Sequence, residues 1–591
     1  MPVVKVEHVL ECVSRYFSQN ELLHLAAEIS SYHRIQGTED LEKAAKFIAD
    51  VLSGEEMPVE VLEYSYSESH GSYQPVAGWW VRDSELWLVK PYRKPLHSFR
   101  DSRTAVVAHS PGGTVEETEV VFVGRGEDEE DYGNVDGKAV LAYGSPYTVY
   151  KVASKLGASA VLLYRRNAPD TAVPYLGLFL TPEEAAEART LAFSVSLRTA
   201  SLIKELIRKG RRPAVSGYVD AGYRQEARIP VVTTAIGTSS TELHIYAHIC
   251  HPGATVNDNV SGTVTVIETA LALWRAYRKK YLATPDKHTI RFLFFPEYSG
   301  SMAYLEERGA NNVVFSVNLD MVGEKQEVTG STLLFIRPPP SLYHKYEALF
   351  YTMLRRTLSR TTTFAGLLNT ISYRFDTSPY QIGSDHDAYI HWGIPSIMIN
   401  QWPDRYYHTD MDTIDKFDPY TAKLVGVAVG AAAYIASRRE YSGYIDVIDV
   451  FYKQLYIGEE LMRTPYEHVK ERSQFLRDVL EGKMRGSIQQ GTCRYVGPKG
   501  PISRRTLIRL LGKEYRKYRE LVEEDKVMDY VVRGLIPLFG SRENFTVQSL
   551  AKRLLLELGL RVDEKKFEKS LDLLKAAKLV VCGDEPPELR K

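Results

Sequence analysis

Cysteine is scarce in this sequence, and the few cysteines present lie far apart. They are Cys12, Cys250, Cys493 and Cys582. None forms a CxxC pair, so the spacing argues against a disulfide framework and against a cysteine-based zinc knuckle.

The sequence also has almost no net charge and no long apolar run. The formal charge of −1 gives no reason to expect a polyanionic partner. The N-terminal stretch MPVVKVEHVLECVSRYF mixes charged residues with apolar ones and has no signal-peptide core. The longest apolar run, Leu424–Ala436, is too short to span a bilayer and is rich in alanine and glycine, as in a packed helix. We therefore expect a cytoplasmic protein without a membrane partner.

The composition is that of an ordinary globular protein, with 44% hydrophobic and 25% charged residues. A chain of 591 residues exceeds what one core usually holds, about 250–300 residues. Several domains are expected.

The middle of the chain alternates apolar runs with amphipathic helices. The runs LHIYAHIC, TIRFLFFPE, NVVFSVNLD and PSIMIN are almost continuously apolar, as in strands covered on both faces. The pattern predicts an α/β fold with a central, mostly parallel sheet covered by helices.

The regions on either side have other patterns. Short strands dominate before residue 222, with the strand–helix–strand pattern GKAVLAYG, YTVYKVASKLGAS and AVLLYRR. After residue 440 the chain is helical and charged. We predict a discontinuous domain of residues 1–84 and 223–440, a β-rich inserted domain of residues 85–222, and a helical region of residues 441–591 that ends in a winged-helix-like domain.

Polar residues follow the predicted strands of the central sheet. Because ligands bind at the carboxyl edge of parallel strands, these residues should converge. Alone, each is more readily explained as a helix cap, a surface group or a structural histidine, and Asp258 or Asn259 could simply cap the next helix. Together they form a nitrogen and oxygen ligand set that suits zinc, with cobalt or manganese as alternatives. The set is His251, Asp258, Glu297, Asp320 and His408.

Five motifs carry a resemblance to a known superfamily. They are NDNVSG, PEYSGSMAYL, NLDMVG, GSDHDAYIHWGIPSIMI and YHTDMDT. In these motifs the chain resembles the co-catalytic zinc aminopeptidases, which include bacterial leucyl aminopeptidases and glutamate carboxypeptidase.

The resemblance implies two zinc ions bridged by Asp258. One ion would be completed by a histidine of HICH together with Asp320, and the other by Glu297 and His408. It also implies that the β-rich segment is a protease-associated domain that shapes substrate access.

The sequence departs from this superfamily in two places. The usual His-x-Asp motif reads His248-Ile-Cys250 here, and a thiol is a poor acceptor for orienting the histidine. Strand alternation leaves His248 and His251 as alternative ligands and favours His251, which lies just past the strand end; CHPG with NDNVSG also resembles an aminopeptidase-like subgroup that favours His251.

The second departure is the loss of one of two adjacent glutamates. Only Glu297 is present, and it cannot be general base and zinc ligand at once. The sequence slightly favours a ligand role, in which case the water would be deprotonated by the metal alone or by another base, such as Asp385 or Glu324.

Further residues near these motifs are candidates for substrate binding. They are Arg374, Tyr380, His386 and Tyr407, although surface or structural roles fit the first three as well.

We therefore expect a zinc-dependent exopeptidase, most simply an aminopeptidase that hydrolyses N-terminal residues from short peptides through a metal-activated water. The alternatives are a peptidase-fold binding protein with little or no catalysis, and a metal-dependent hydrolase of a non-peptide amide. The C-terminal module carries acidic residues among its lysines, which favours packing or homo-oligomer formation over nucleic-acid binding.

Overall fold

The computed structural model describes residues 2–483 and 491–583. Within these ranges the chain forms an eight-stranded sheet, a seven-stranded sheet and two small two-stranded sheets, all accompanied by helices. The strands are β1 (Val59–Ser65), β2 (Gly78–Lys90), β3 (Lys94–Ser98), β4 (Gly113–Phe122), β5 (Ala139–Ala142), β6 (Ala160–Leu163), β7 (Leu191–Ser194), β8 (Ala214–Arg224), β9 (Arg228–Ile236), β10 (Glu242–His248), β11 (Thr289–Phe295), β12 (Val313–Leu319), β13 (Thr332–Ile336), β14 (Thr361–Thr362), β15 (Asn369–Thr370), β16 (Phe375–Ser378), β17 (Ser396–Trp402), β18 (Cys493–Tyr495) and β19 (Val580–Cys582).

Helices cover both large sheets and make up most of the C-terminal region. They are α1 (Pro2–Tyr16), α2 (Gln19–Ser31), α3 (Glu39–Gly54), α4 (Pro146–Lys155), α5 (Pro182–Glu187), α6 (Leu197–Arg208), α7 (Gly262–Arg278), α8 (Ser299–Arg308), α9 (Gln326–Thr329), α10 (Tyr346–Leu358), α11 (His386–His391), α12 (Pro419–Ala436), α13 (Ser442–Met462), α14 (Val469–Leu480), α15 (Arg504–Leu511), α16 (Tyr515–Glu524), α17 (Val527–Tyr530), α18 (Ile536–Gly540), α19 (Val547–Leu558) and α20 (Glu564–Ala576).

The eight-stranded sheet has the order β1-β9-β11-β10-β12-β17-β13-β16. Its centre, β11-β10-β12-β17, is parallel throughout, and these are the strands predicted from the apolar runs. Antiparallel pairs join β9 and β13 to this centre, so the whole sheet is mixed. The predicted α/β fold is confirmed.

Burial on both faces explains the apolar runs of this sheet. All seven residues of β10 are buried, because helices pack above and below it. Helix α12 is one of the covering helices: Asp418 caps its N-terminus by accepting from the backbone N–H groups of Tyr420 and Thr421. This helix is long and apolar enough to cross a membrane, but 83% of it is buried inside the protein, as in a core helix.

The seven-stranded sheet contains β2 to β8 in the order β3-β2-β8-β4-β5-β6-β7. The predicted strand–helix–strand unit is present as β5, α4 and β6, with β5 and β6 parallel. The predicted boundary at residue 84 falls inside β2, because this long strand starts at Gly78 and pairs along its length with β8. The likeness of this region to a protease-associated domain stays a prediction.

The C-terminal region is helical, as predicted, and ends with α19 and α20 followed by the short strand β19; its likeness to a winged-helix domain stays a prediction. Its elements have their own apolar core, centred on residues such as Leu507, Leu535 and Leu574. Helices α13 and α14 instead join the core of the eight-stranded sheet through residues that include Ile445 and Leu476. The expected break at residue 440 therefore does not separate these two helices from the large sheet.

A disulfide joins Cys493 and Cys582, although the spacing of the cysteines argued against a disulfide framework. The reason is the register of β18 against β19: the two strands are antiparallel, and Cys493 lies directly opposite Cys582. Distance along the chain does not limit such a contact.

Candidate metal centre

Six polar side chains predicted from the sequence meet at the carboxyl edge of the parallel strands. His248 is the last residue of β10, Glu297 and Asp320 follow β11 and β12, and His408 lies in the loop after β17. His251 and Asp258 lie in the segment between β10 and α7.

Asp258 is at the centre of this group, and its two oxygens face different partners. On the Oδ1 side, His248 Nε2 lies 3.4 Å from Asp258 Oδ1 and 3.4 Å from Asp320 Oδ1. We call His248, Asp258 Oδ1 and Asp320 cluster 1. Its residues are 1–5% exposed.

The Oδ2 side of Asp258 faces two other histidines. His251 Nδ1 lies 3.2 Å and His408 Nε2 lies 2.9 Å from Asp258 Oδ2. We call His251, Asp258 Oδ2 and His408 cluster 2. The ligand-capable atoms of each cluster are close enough together to hold one metal ion.

The choice between His248 and His251 is therefore not exclusive. Both histidines reach Asp258, one on each oxygen, and the structure gives each a different cluster. The sequence pattern treated them as competitors for one position, because it contained no information on the path of the loop between them.

Three atoms of these clusters are buried and form no hydrogen bond. They are Asp258 Oδ1, Asp320 Oδ1 and His408 Nε2. Buried polar atoms nearly always have a hydrogen-bond partner, whereas each of these three atoms lies 2.9–3.4 Å from a ligand-capable atom of its own cluster without forming a hydrogen bond to it. Burial opposes ionisation of Asp258, yet His251 and the other imidazoles hold the pKa of this carboxyl well below its ordinary value. Imidazole nitrogens and carboxylate oxygens arranged in this way fit zinc.

The backbone around Asp258 is held by other side chains. Asp412 accepts from the backbone N–H groups of Asn257 (2.8 Å) and Asp258 (3.1 Å). Asn259 accepts from Gly262 N (3.1 Å), the first residue of α7. Asn259 therefore supplies a side-chain acceptor at the start of α7, and the Asp258 carboxylate is left to face the histidines.

The loop that carries His251 is fixed by Arg34. This fully buried arginine donates to the carbonyls of Ile249 (2.9 Å) and Tyr32 (2.9 Å), and His251 N donates to Arg34 O (2.9 Å). His251 has a φ of 121°, a conformation that costs free energy for a non-glycine residue. These contacts hold it there.

Cys250 occupies the place where the superfamily resemblance calls for an aspartate. Its Sγ lies 3.7 Å from His248 Nδ1 and accepts from Glu297 N (3.2 Å). Burial opposes ionisation, but His248 and His251 lower the pKa of the Cys250 thiol to about 7. The sulfur thus contacts the imidazole edge of His248 that points away from cluster 1.

Glu297 lies beside cluster 2 without joining it. Its carboxylate is 3.7 Å from His251 Nε2 and 22% exposed. Glu297 also lines two cavities. The backbone after it is fixed by Asp385, which accepts from Tyr298 N (2.7 Å).

The two other carboxyls considered as bases are buried and engaged elsewhere. Burial raises the pKa of Asp385 well above its ordinary value. Burial and the neighbouring Asp404 also raise the pKa of Glu324, whose Oε1 accepts from Asn257 Nδ2 (2.6 Å). Both carboxyls therefore position neighbouring groups of the site, Asp385 the backbone at Tyr298 and Glu324 the side chain of Asn257.

A cavity of about 300 Å³ opens from cluster 1. Tyr407 and His386 line it, as expected for substrate-binding residues, and Tyr407 stacks on His408 with ring centroids 3.8 Å apart. Most of the remaining wall is apolar: Met321, Leu334, Ile336, Ile382, Met398 and Trp402.

Two predicted substrate-binding residues lie elsewhere. Tyr380 is 1% exposed and donates its hydroxyl to Asp387 (2.8 Å), as a core residue does. Arg374 is exposed, and its guanidinium donates to the carbonyl of Gln326.

Tyr175, a neighbour of the site that sequence reasoning missed, comes from the seven-stranded-sheet region. Its ring centroid lies 5.3 Å from that of His251 and 5.2 Å from that of His408, and its N–H donates to His408 O (2.8 Å). Nothing in the surrounding sequence marks this tyrosine, because only the docking of the two sheets brings it to the site.

Similar folds occur among solved structures. The chain is similar to a peptidase M28 precursor from Shewanella amazonensis SB2B, with 13% identity, a TM-score of 0.55, and coverage of 74% of this chain and 98% of that one. It is also similar to the zinc aminopeptidase BSAP from Bacillus subtilis (18% identity, TM-score 0.48, 72% and 97% coverage). A putative peptidase from Clostridium acetobutylicum aligns along 98% of this chain and 99% of its own (14% identity, TM-score 0.49).

No match was found among curated proteins. One family model matches: residues 231–433, a segment that contains every residue of cluster 1 and cluster 2, match the model described as Peptidase family M28.

Proposed function

We propose that this protein is a metal-dependent exopeptidase, and that it removes N-terminal residues from short peptides. The observation that carries the proposal is the arrangement around Asp258: one carboxylate shared between two histidine-containing clusters at the mouth of a cavity. The match of this segment to peptidase family M28 supports the same reading.

Cluster 1 and cluster 2 would each hold one zinc ion, with Asp258 as the bridge. Two zinc ions so placed polarise a peptide carbonyl and make water a better nucleophile at neutral pH. In this assignment His251 occupies the ligand position that a second adjacent glutamate would fill, so Glu297 is not required as a ligand. This differs from the ligand role that the sequence slightly favoured for Glu297.

Glu297 then serves as the general base. It is the carboxylate beside cluster 2 that borders open cavities, whereas Asp385 and Glu324 are buried against other groups. Glu297 would accept a proton from the attacking water and return it to the leaving nitrogen as the peptide bond breaks.

The cavity beside cluster 1 supports exopeptidase action. Its volume of about 300 Å³ is at the lower limit for ligand pockets, so it takes one terminal residue and not an extended chain. Its wall of methionine, leucine, isoleucine and tryptophan side chains favours an apolar side chain at that residue.

The test is metal content and hydrolysis measured on the same samples of the full chain. We expect about two zinc ions per chain and turnover of leucyl or methionyl peptides with a free amine, and no turnover of the same peptides after N-acetylation. Full zinc content without turnover of any peptide would instead identify a binding protein. Turnover restricted to N-acylated or non-peptide amides would identify a different amidohydrolase.

A further inference from the structure

A second cavity, of about 310 Å³, lies on the other side of Glu297 from the cavity of cluster 1. Three parts of the chain build it. Tyr73 comes from the segment between β1 and β2, Tyr147 and Phe179 come from the seven-stranded-sheet region, and Arg505 comes from α15 in the C-terminal region. The C-terminal region therefore contributes directly to the surroundings of the candidate base.

Arg505 stands out among the residues of this wall because its guanidinium forms no direct ion pair within the described part of the chain, although the more distant Glu184 carboxylate favours its charge. Its Nη1 atom is buried and forms no hydrogen bond within the described part of the chain. Its Nη2 atom makes one long contact, 3.5 Å, to the carbonyl of Gln74. No carboxylate among the described residues forms an ion pair with it. Burial lowers the pKa of the Arg505 guanidinium below its ordinary value.

The other arginine of the wall is fully engaged and provides the contrast. Arg533 pairs with Asp529 (3.2 Å) and donates from Nε to Ile502 O (2.8 Å). A buried guanidinium normally has such partners, since an unpaired buried charge is strongly unfavourable. Arg505 is itself half-buried, and its buried Nη1 atom has no such partner among the described residues.

The geometry of α15 adds to this preference for an anion. The helix begins at Arg504 with Ser503 as its N-cap, and Ser503 and Arg505 both line the cavity. The positive end of the helix dipole therefore faces the same space as the guanidinium. A planar carboxylate matches the two-pronged donor geometry of arginine.

We propose that this cavity is a carboxylate subsite, in which Arg505 pairs with a free carboxylate on the leaving-group side of a short peptide substrate. The proposal rests on the exopeptidase function proposed above and names its substrate class. The cavity beside cluster 1 takes the terminal residue, Glu297 lies between the two cavities, and Arg505 fixes the far end of the substrate. The carboxylate is either the C-terminal one of a dipeptide or an acidic side chain of a longer peptide.

Binding to chelator-treated protein tests the subsite without catalysis. Titration calorimetry would compare leucyl-alanine with leucyl-alanine amide, which differ only in the carboxylate. We expect the wild type to bind the acid on the order of 10- to 100-fold more tightly than the amide, the range of a hydrogen-bonded charged pair. Arg505→Met should bind the two equally, and Arg505→Lys should keep part of the preference.

Arg509→Met is the matched control, since Arg509 lies one turn further along α15 and is exposed. It should behave as the wild type. Equal binding of acid and amide by the wild type, or an undiminished preference in Arg505→Met, would overturn the proposal. An equal loss in Arg505→Met and Arg509→Met would also overturn it, by pointing to general electrostatic attraction.

Hydrolysis by the zinc-loaded protein distinguishes the two sources of the carboxylate. A higher kcat/KM for leucyl-alanine than for its amide, abolished by Arg505→Met, would assign the C-terminal carboxylate. A higher kcat/KM for leucyl-aspartate amide than for leucyl-asparagine amide, abolished in the same way, would assign an acidic side chain. Turnover with neither preference would remove the subsite and leave the exopeptidase standing. Arg505-dependent binding without any turnover would support the carboxylate subsite and contradict the exopeptidase function.

Discussion

Cluster 1 and cluster 2 share one carboxylate but are built in different ways. In cluster 1, His248 and Asp320 stand at the ends of neighbouring parallel strands, β10 and β12, so the register of the sheet sets their positions. In cluster 2, both histidines lie in loops, and both have positive φ, 121° at His251 and 54° at His408. One cluster is a consequence of the sheet, whereas the other depends on loops held by distant contacts.

Those distant contacts come from two other parts of the chain. Arg34 binds the loop of His251, and the seven-stranded-sheet region binds the loop of His408, through a bridge between Pro174 and Thr409 and a hydrogen bond from Val173 N to Asp410 (2.9 Å). We therefore expect cluster 1 to be the more robust metal position and cluster 2 to be the one that other regions adjust.

Replacing the shared carboxylate should have the largest effect, because it belongs to both clusters. In Asp258→Ala the zinc content should fall from about two ions per chain to nearly none, and hydrolysis should stop. Elemental analysis after gel filtration measures this directly. Asp412→Asn is the control: it disturbs the backbone of Asp258 and contributes to neither cluster, so most of the metal should remain. Retention of one tightly bound ion in Asp258→Ala would show that the two positions do not share this carboxylate.

Each single-histidine variant should lose one zinc ion: His248→Ala the ion of cluster 1, and His251→Ala or His408→Ala the ion of cluster 2. His251→Ala and His408→Ala should lose the same ion, so that the double variant loses no more metal than either single variant. His248→Ala combined with His251→Ala should lose both ions. If His248→Ala with His251→Ala still retains one ion, the assignment of the histidines to separate clusters is wrong.

The sequence predicted the carboxylates of cluster 1 well, for a physical reason. Parallel strands place the residues that follow them at one edge, so Asp258, Glu297 and Asp320 could be brought together from strand ends alone. The sequence favoured His251 over His248 as the histidine beside Asp320, and the structure instead places His248 there. Two sites sharing Asp258 were implied by the resemblance, but the place of His251 in cluster 2 could not be predicted, because the direction of a short loop decides which oxygen of Asp258 His251 meets. The same limit applies to Arg505, which reaches the site only because three regions pack together.

Two other expectations from the sequence were wrong because position along the chain does not determine contacts in the fold. The spacing of the cysteines argued against a disulfide framework, yet one antiparallel pairing places Cys493 and Cys582 opposite each other, and they form a disulfide. Tyr380 was a candidate for substrate binding, yet it is buried against Asp387. Proximity to a motif in sequence does not determine whether a side chain reaches the cavity.

Glu297→Gln sharpens the comparison by testing what lies beside cluster 2. If Glu297 is the base and His251 the ligand, this variant should retain both ions while kcat falls on the order of 10²- to 10⁴-fold. Zinc content and kcat must be measured on one preparation, with Gln36→Ala as a control, since Gln36 donates to the backbone carbonyl of Glu297 (3.0 Å) and to Cys250 Sγ (3.9 Å), and not to the Glu297 carboxylate. Loss of one ion in Glu297→Gln would make this glutamate a ligand, as the sequence slightly favoured.

The smallest effect should come from the neighbour of cluster 2 that belongs to the seven-stranded-sheet region. Tyr175 packs its ring against His251 and His408, so Tyr175→Leu should loosen the two imidazoles without removing a ligand. We expect the zinc affinity of cluster 2 to fall by about 10-fold or less, and that of cluster 1 to stay unchanged. Competition with a graded series of chelators separates the two affinities. Tyr143→Leu, a half-buried substitution in the same region, should leave both affinities as they are. An equal decrease in the zinc affinity of both clusters in Tyr175→Leu would contradict this expectation. It would mean that the two clusters respond together through Asp258, whether their ligands lie in loops or at strand ends.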